Sequence, residues 1–228
     1  PLNQSHSWML YHDFSDSDCA IADDQSKMCY ATDLTGNLNI AWQTVRATRV
    51  TQPSSGYIDN GVYQYVGTSG TLTTNPQLIN LTGAFSFVIS IDPDAATVTS
   101  LNESIFGRGA GASVFNLANS SGKIQIQFKT ETGTVLINNT PSNSNVGKQS
   151  WYIRRDVSNN VFVKCVNSTA AYDYGNIGSI TGTFDLRILG GGTSAAKGFS
   201  GKIYKFAVAD EDIGNTDATA IINDWYAN

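Results

Sequence analysis

Charged side chains are scarce in this sequence. Asp, Glu, Lys and Arg make up 14% of its 228 residues, whereas about a quarter is usual for a soluble domain. The balance is acidic, with a formal net charge of −5 at pH 7. A nucleic-acid partner would need a basic patch on the protein, so the charge argues against that class of function.

Long apolar runs are absent as well. The sequence has no window of about 18 apolar residues, the length that a membrane-spanning helix needs, and no segment reads as a signal peptide. Pro1 suits a natural start from which the initiator methionine has been removed, which predicts synthesis in a cytoplasm. The alternative is that a leader or a tag was cleaved before Pro1.

Cysteine and histidine are few. Cys19, Cys29 and Cys165 form an odd set without metal-site spacing, which argues against a disulfide framework. Cys19 and Cys29 either bridge one loop or are free thiols, and Cys165 is predicted to be buried in a strand. The only histidines are His6 and His12, so a Ser/His/Asp or Cys/His catalytic system would have to recruit one of them.

Alternation of apolar and polar residues is the strongest pattern that is present. In the run KIQIQFK (123–129), the apolar residues share one face of a strand and the polar residues share the other. Similar alternation marks 84–91, 151–155 and 161–166, and turn-rich breaks separate the runs. Many short strands at this spacing predict an all-β fold, a two-sheet antiparallel jelly-roll sandwich.

One segment reads as a helix. In residues 216–226, four apolar residues fall at i, i+3, i+4 and i+7 and end at Trp225. This spacing predicts a short C-terminal helix, capped by Asn215 or Thr216, whose apolar stripe closes over the sandwich.

The remaining segments are less regular. Residues 202–209 predict a late strand, and the acidic residues 210–212 predict the turn that ends it, in which Asp210 and Asp212 are expected to be solvated. Near the other end of the chain, the Asp- and Ser-rich residues 13–37 predict loops, whereas 38–45 and 63–66 predict strands.

Seven short pieces carry a resemblance to a known fold family. They are DLTGNLN (33–39), YQYVG (63–67), LTGAFSFVISIDP (81–93), IFGRG (105–109), GKIQI (122–126), LGGG (189–192) and FSGKI (199–203). In this order they resemble laminin-G-like, or concanavalin A-like, jelly rolls, although Ser90 stands where that family often has Trp. The resemblance implies two stacked antiparallel sheets. It divides the chain into an N-terminal arm, residues 1–30, as a candidate attachment segment, and one jelly-roll domain, residues 31–228.

The acidic residues favour a protein without catalytic activity. A jelly-roll glycosidase needs two carboxylates that face each other across a cleft. The three glutamates, Glu103, Glu131 and Glu211, do not lie two residues from another acid within a strand. Asp210 and Asp212 have that spacing but follow a strand. We therefore predict a non-enzyme, with a glycan hydrolase or lyase as an alternative.

The resemblance also implies a calcium site, because laminin-G-like domains often bind one calcium ion at a loop rim. The candidate ligands are Asp33, Asn37, Asp59 and Asn60, and Asp92 and Asp94 form a second cluster. Calcium prefers such oxygen ligands. Asp and Asn are also ordinary turn formers, so the alternative of plain turns stays open.

A tyrosine-rich segment is the candidate ligand site. Sugar sites combine exposed aromatic rings with amides and carboxylates. The candidate residues are Tyr172, Asp173, Tyr174 and Asn176 of the segment YDYGN, together with Tyr63 and Tyr65. The alternative is that these tyrosines close the rims of the core or pack on a neighbouring subunit.

Composition and resemblance together predict a function. Low charge, abundant Asn, Ser and Thr, and few cysteines resemble phage virion proteins. We expect a non-enzymatic virion surface protein, such as a capsid decoration, head fibre or tail-fibre domain, synthesised in a host cytoplasm. Its partners would be other virion proteins or copies of itself, and a cell-surface glycan, but no nucleic acid and no membrane interior. The alternative is a secreted, extracellular carbohydrate-binding or cell-adhesion module.

Overall fold

The computed structural model shows a mainly β protein. The described residues are 2, 5–16, 20–22, 28–32, 34–35, 40–42, 58–59, 72–75, 79–93, 103–107, 115–120, 123–130, 133–137, 147–166, 171–180, 183–184, 187–188 and 201–228. Their strands are β1 (Trp8–Asp13), β2 (Ala20–Ala22), β3 (Met28–Thr32), β4 (Ile40–Trp42), β5 (Ile58–Asp59), β6 (Leu72–Asn75), β7 (Ile79–Asn80), β8 (Phe85–Pro93), β9 (Glu103–Gly107), β10 (Phe115–Ser120), β11 (Lys123–Thr130), β12 (Gly133–Ile137), β13 (Gln149–Arg155), β14 (Asn160–Cys165), β15 (Tyr172–Asn176), β16 (Thr183–Phe184), β17 (Arg187–Ile188) and β18 (Gly201–Ala209). One helix, α1 (Gly214–Ala227), follows.

The strands form two large antiparallel sheets. Sheet A has the order β1-β18-β8-β13-β14-β15, with β5 also paired to β18. Sheet B has the order β12-β11-β10-β9-β17-β6-β4-β3-β2, and β16 and β7 form a separate pair. Phe85 of sheet A lies against Phe128 of sheet B, with ring centroids 6.0 Å apart, so the sheets face each other. The predicted all-β sandwich with a short C-terminal helix is confirmed.

Sheet A lies between two apolar layers. The first, the interior core, fills the space between the sheets and includes Phe87 and Ile153. The second, the helix layer, packs between sheet A and α1 and includes Val88 and Tyr152. Successive residues of a strand point to opposite faces, so neighbours such as Phe87 and Val88 enter different layers. Every residue of β13 is consequently buried.

The apolar stripe of α1 agrees with its sequence pattern. The buried residues of the helix are Ala218, Ile221, Ile222 and Trp225, and they recur at helical spacing. No helix among the described residues is long and apolar enough to cross a membrane.

The start of α1 differs from the predicted one. The helix begins at Gly214, and no side chain caps it at the flanking residue, Ile213. The N–H of Ile213 instead donates to Oγ of Ser86 at 3.0 Å, and the N–H of Gly214 donates to Oδ1 of Asp212 at 3.0 Å. The prediction of a cap at Asn215 or Thr216 was wrong, because sheet A and the preceding turn supply the acceptors.

Two β-bulges exchange residues between the layers. In β1 the register shifts between Trp8 and Leu10, so Trp8 joins the helix layer and Leu10 joins the interior core. Two residues at this spacing would share one face of a regular strand. A second shift lies between Ile203 and Lys205 of β18.

The N-terminal residues are more regular than their composition predicts. Residues 8–13 of the predicted arm form β1, an edge strand of sheet A, while the boundary at residue 30 stays a prediction. The predicted loops over 13–37 were wrong for β2 and β3. The run MCYAT of β3 carries no charge and pairs with β4 at three positions, so backbone pairing outweighs the polar residues around it. β4 lies within the predicted strand 38–45, whereas 63–66 lies outside the described residues.

His12 is completely buried on the interior side of β1. Its imidazole stacks on Phe206, with ring centroids 4.7 Å apart and 12° between the planes, and lies 6.1 Å from Phe14. Burial lowers the pKa of His12 from 6.5 to about 3, because an imidazolium would lose its hydration there.

Acidification should therefore destabilise the fold through His12. The unfolded chain gains this proton near pH 6.5, whereas the folded chain gains it only near pH 3. The stability is complete above pH 6.5 and falls as the pH drops, by about 2 kcal/mol between pH 7 and pH 5. Urea unfolding at pH 7 and pH 5 measures this loss of unfolding free energy in a His6→Gln variant. The double variant His6→Gln/His12→Gln should show no such loss. A loss that persists in the double variant would show that other titratable groups cause it.

The indole of Trp225 should contribute much of the stability of the helix layer. It is 1% exposed and stacks on Tyr11 of β1, with ring centroids 6.0 Å apart. Trp225→Ala should lower the free energy of unfolding by about 3–5 kcal/mol. The neighbouring Tyr226 is 39% exposed, and Tyr226→Ala should change the free energy of unfolding by less than about 0.5 kcal/mol. Equal losses in urea unfolding would contradict this orientation of α1.

Candidate functional site

The predicted ligand segment forms β15, the last strand of sheet A. β14 pairs with one side of β15, and no described strand pairs with the other side. Tyr172 and Tyr174 share one face of the strand, and their rings lie 6.1 Å apart with 25° between the planes. Tyr172 is 50% exposed, whereas Tyr174 is partly buried against the interior core. The structure thus places two of the predicted rings side by side at a sheet edge.

The polar side chains of this segment hold its turns. Oδ1 of Asp173 accepts a hydrogen bond from the N–H of Gly175 at 2.8 Å, and Oδ1 of Asn176 accepts one from Gly178 at 2.7 Å. The amide of Asn176 also donates to the carbonyl of Ser158 at 2.5 Å. Both glycines have a positive φ, +68° and +80°, which glycine adopts without strain. The backbone that carries the tyrosines is therefore fixed by its own side chains.

Arg155, at the end of β13, fastens the same end of the segment. Its side chain is nearly inaccessible and donates to the carbonyl oxygens of Gly178 at 2.9 Å, Gly83 at 2.6 Å and Thr82 at 2.9 Å. It also donates to Oδ1 of Asn159. The sequence analysis missed this role. The available signal was an arginine at an apolar position of the 151–155 alternation.

Most other predicted site residues lie outside the described residues. These are Tyr63, Tyr65, Asp33, Asn37, Asn60 and Asp94. Asp59 belongs to β5, and its backbone lies opposite that of Lys202 in β18. The carboxylate of Asp92 lies 3.5 Å from Nζ of Lys202. In the part of the chain that the structure describes, no group of three His, Cys, Asp or Glu side chains could hold a metal ion. The calcium site stays a prediction.

The acidic turn after β18 is not simply solvated. Oε1 of Glu211 accepts from the N–H of Ser7 at 2.6 Å and lies 3.2 Å from Nδ1 of His6. Nε2 of His6 lies 2.7 Å from Oδ2 of Asp217 in α1. Glu211, whose side chain is 42% exposed, therefore connects the N-terminal residues to the turn that precedes the helix.

The prediction of a solvated turn was wrong for Asp212, which pairs with Arg154 below the start of α1. The side chain of Arg154 is 8% exposed, and its guanidinium lies over the ring of Phe162, 4.6 Å from the centroid. Asp210, in contrast, is exposed. The two aspartates with catalytic spacing therefore lie in different environments, one of them in a structural ion pair.

Comparisons with known proteins identify the fold. No family model and no curated protein sequence matches the chain. The binding domain of Paraclostridial Mosquitocidal Protein 1 superposes with a TM-score of 0.68 at 8% identity, over 96% of this chain and 52% of that chain. The binding domain of botulinum neurotoxin DC, in complex with rat synaptotagmin II, superposes with a TM-score of 0.66 at 10% identity, over 96% of this chain and 51% of that chain. The same domain in complex with SialylT superposes with a TM-score of 0.64 at 11% identity, over 92% of this chain and 52% of that chain. The chain spans about half the length of these structures, and at such identities the likeness shows the fold alone.

Substitution of the two aspartates should separate structure from chemistry. Asp212→Asn leaves the charge of Arg154 buried without its partner, which should cost about 3 kcal/mol of unfolding free energy. Asp210→Asn removes an exposed charge and should change it by less than about 0.5 kcal/mol. Urea unfolding measures both. A stable Asp212→Asn variant would remove the structural role and leave that carboxylate available for chemistry.

Proposed function

We propose that this chain is a non-enzymatic, glycan-binding module whose site is the outer edge of β15. The observation that carries the proposal is the half-exposed ring of Tyr172, held at a sheet edge beside Tyr174. Tyrosine offers a large, rigid and amphipathic contact surface at a low cost in conformational entropy. Such a ring on a fixed backbone suits the recognition of a ligand.

A sugar matches this surface chemically. One face of a pyranose ring carries mainly C–H groups and packs on an aromatic ring, while its hydroxyl groups form hydrogen bonds at the rim. The turns made by Asp173 and Asn176 fix the strand before a ligand arrives. A site that is ordered in advance loses less entropy on binding.

The similar structures support a binding role. They are binding domains of toxins, and two of them are complexes with synaptotagmin II and with SialylT. A protein receptor or a glycan is accordingly the class of partner that we propose for this chain. The tyrosine edge favours the glycan.

The described titratable groups favour binding over catalysis. His12 is buried in its neutral form, and His6 lies between Glu211 and Asp217. Asp212 forms an ion pair. Each group would have to leave a structural contact in order to act on a substrate, which supports a module without hydrolase or lyase activity.

The setting of the module is proposed from the sequence alone. We propose display on a virion surface after synthesis in a host cytoplasm, with other virion proteins or copies of itself as partners. A secreted adhesion module is the alternative setting for the same site. Calcium binding by Asp33, Asn37, Asp59 and Asn60 is proposed on the same basis.

The purified protein should bind a subset of glycans on an array. Tyr172→Ala should then weaken binding at least about tenfold, since a central aromatic contact commonly contributes more than about 1.4 kcal/mol. Val157, which is 89% exposed in the β13–β14 turn, provides the control, and Val157→Ala should bind as the unchanged protein does. Isothermal titration with the best glycan measures both.

Three outcomes of these binding experiments test the position of the site, the calcium requirement and the proposed function itself. Full binding by Tyr172→Ala would move the site away from β15. Loss of binding in EDTA, restored by added calcium, would support the calcium site. Failure to bind any glycan or host cell would contradict the proposed function.

A further inference from the structure

We infer that the β15 site binds a single uncharged sugar ring at the end of a glycan, rather than an extended polysaccharide or an acidic sugar. The inference rests on the proposed glycan-binding function and names the ligand class of the same site. It follows from the spacing of the two tyrosines, from their surroundings and from the charge of the segment.

The tyrosine pair offers one ring to a ligand. A sugar between two rings would need a separation of about 7 Å, because each stacking contact takes about 3.5 Å. The rings of Tyr172 and Tyr174 are 6.1 Å apart, so a sugar cannot enter between them. Burial, together with the neighbouring Tyr172, raises the pKa of Tyr174 to about 12. Tyr174 packs partly against the interior core whereas Tyr172 is half exposed, so Tyr174 supports Tyr172, and Tyr172 makes the contact.

The remaining exposed apolar side chains of the described residues do not extend this platform. They are Val157 and Tyr226. Val157 adjoins the end of β15 marked by Asn176, about 13 Å from Tyr172 at 3.3 Å per residue. Tyr226 follows Trp225, which lies over β1 at the opposite edge of sheet A. One ring covers about one pyranose, so further sugars of a chain would gain little.

The charge of the segment is negative. Asp173 is the only charged residue in 172–178. The neighbouring cations are turned away from Tyr172: Nζ of Lys164 lies 3.5 Å from Oγ1 of Thr219 in α1, on the helix side of sheet A, and the buried guanidinium of Arg155 binds backbone carbonyls. A carboxylate or sulfate on the sugar would meet Asp173 rather than a cation.

Asp173 is itself suited to an uncharged sugar. One of its oxygens accepts from Gly175 in the turn, and the exposed side chain points to the face of β15 opposite to Tyr172. The second oxygen can accept a hydrogen bond from a hydroxyl of a sugar that extends from Tyr172 around the strand edge. Since a carboxylate only accepts hydrogen bonds, it selects O–H donors and repels anions.

The test is a matched ligand series measured by NMR titration of the intact chain. The probes are methyl glycosides of galactose, glucose, mannose and N-acetylglucosamine, neutral tetrasaccharides ending in each of them, and the same tetrasaccharides capped with sialic acid. The best methyl glycoside should bind within about threefold of its tetrasaccharide. The sialylated form should bind at least about twofold more weakly, which is the effect of two like charges about 8 Å apart in water.

Three variants connect the result to the site. Asp173→Asn should reduce the difference in affinity between neutral and sialylated probes, and Val157→Ala, in the exposed β13–β14 turn, should bind as the unchanged protein does. Tyr172→Ala should abolish the shifts. Affinity that grows more than tenfold with chain length, or tighter binding of the sialylated probe, would overturn the inference while Tyr172 dependence preserved the proposed function. Absence of binding by every probe, or binding that ignores Tyr172→Ala, would overturn the proposed function itself.

Discussion

Burial of sheet A on both faces is the constraint on which the rest of the structure depends. The interior core covers one face and α1 covers the other, so a polar side chain in the central strands needs a partner. Oγ of Ser150 donates to Oγ of Ser90 at 3.0 Å, and Arg154 is paired with Asp212. The acidic residues after β18 contribute to this pairing, because Asp212 neutralises Arg154, whose charge would otherwise be buried under α1 without a partner.

The same constraint limits where a partner can bind on sheet A. With α1 on the outer face of sheet A, the edges of that sheet remain for recognition. At the β1 edge, the residues that precede the strand are held by His6, which contacts Asp217 of α1 and Glu211 of the turn before it. At the β15 edge, Asn176 and Arg155 fix the backbone without covering Tyr172. Rigidity and exposure therefore coincide at one edge, which is why the proposed site lies there.

The strand alternation and the helical spacing were sufficient to predict the fold class, because each layer needs a continuous apolar face. They also placed Cys165 correctly in the interior core. The two bulges were not predictable, since an inserted residue changes the face without changing the composition. The roles of Arg154 and Arg155 were missed because their partners, Asp212 and Gly178, are distant in sequence. Such pairings arise only when the layers assemble.

The arrangement of the chain ends has a consequence for avidity. Leu2 packs in the helix layer and Trp225 stacks on Tyr11, so both ends of the described chain lie near the β1 edge. β15 is five strand spacings away, about 24 Å. Copies anchored through either end to a common scaffold would all turn their tyrosine edges outward. If each copy binds through one ring, as we propose, the contacts would add up with the density of copies, and a change in their spacing would alter the overall avidity without any change in the site.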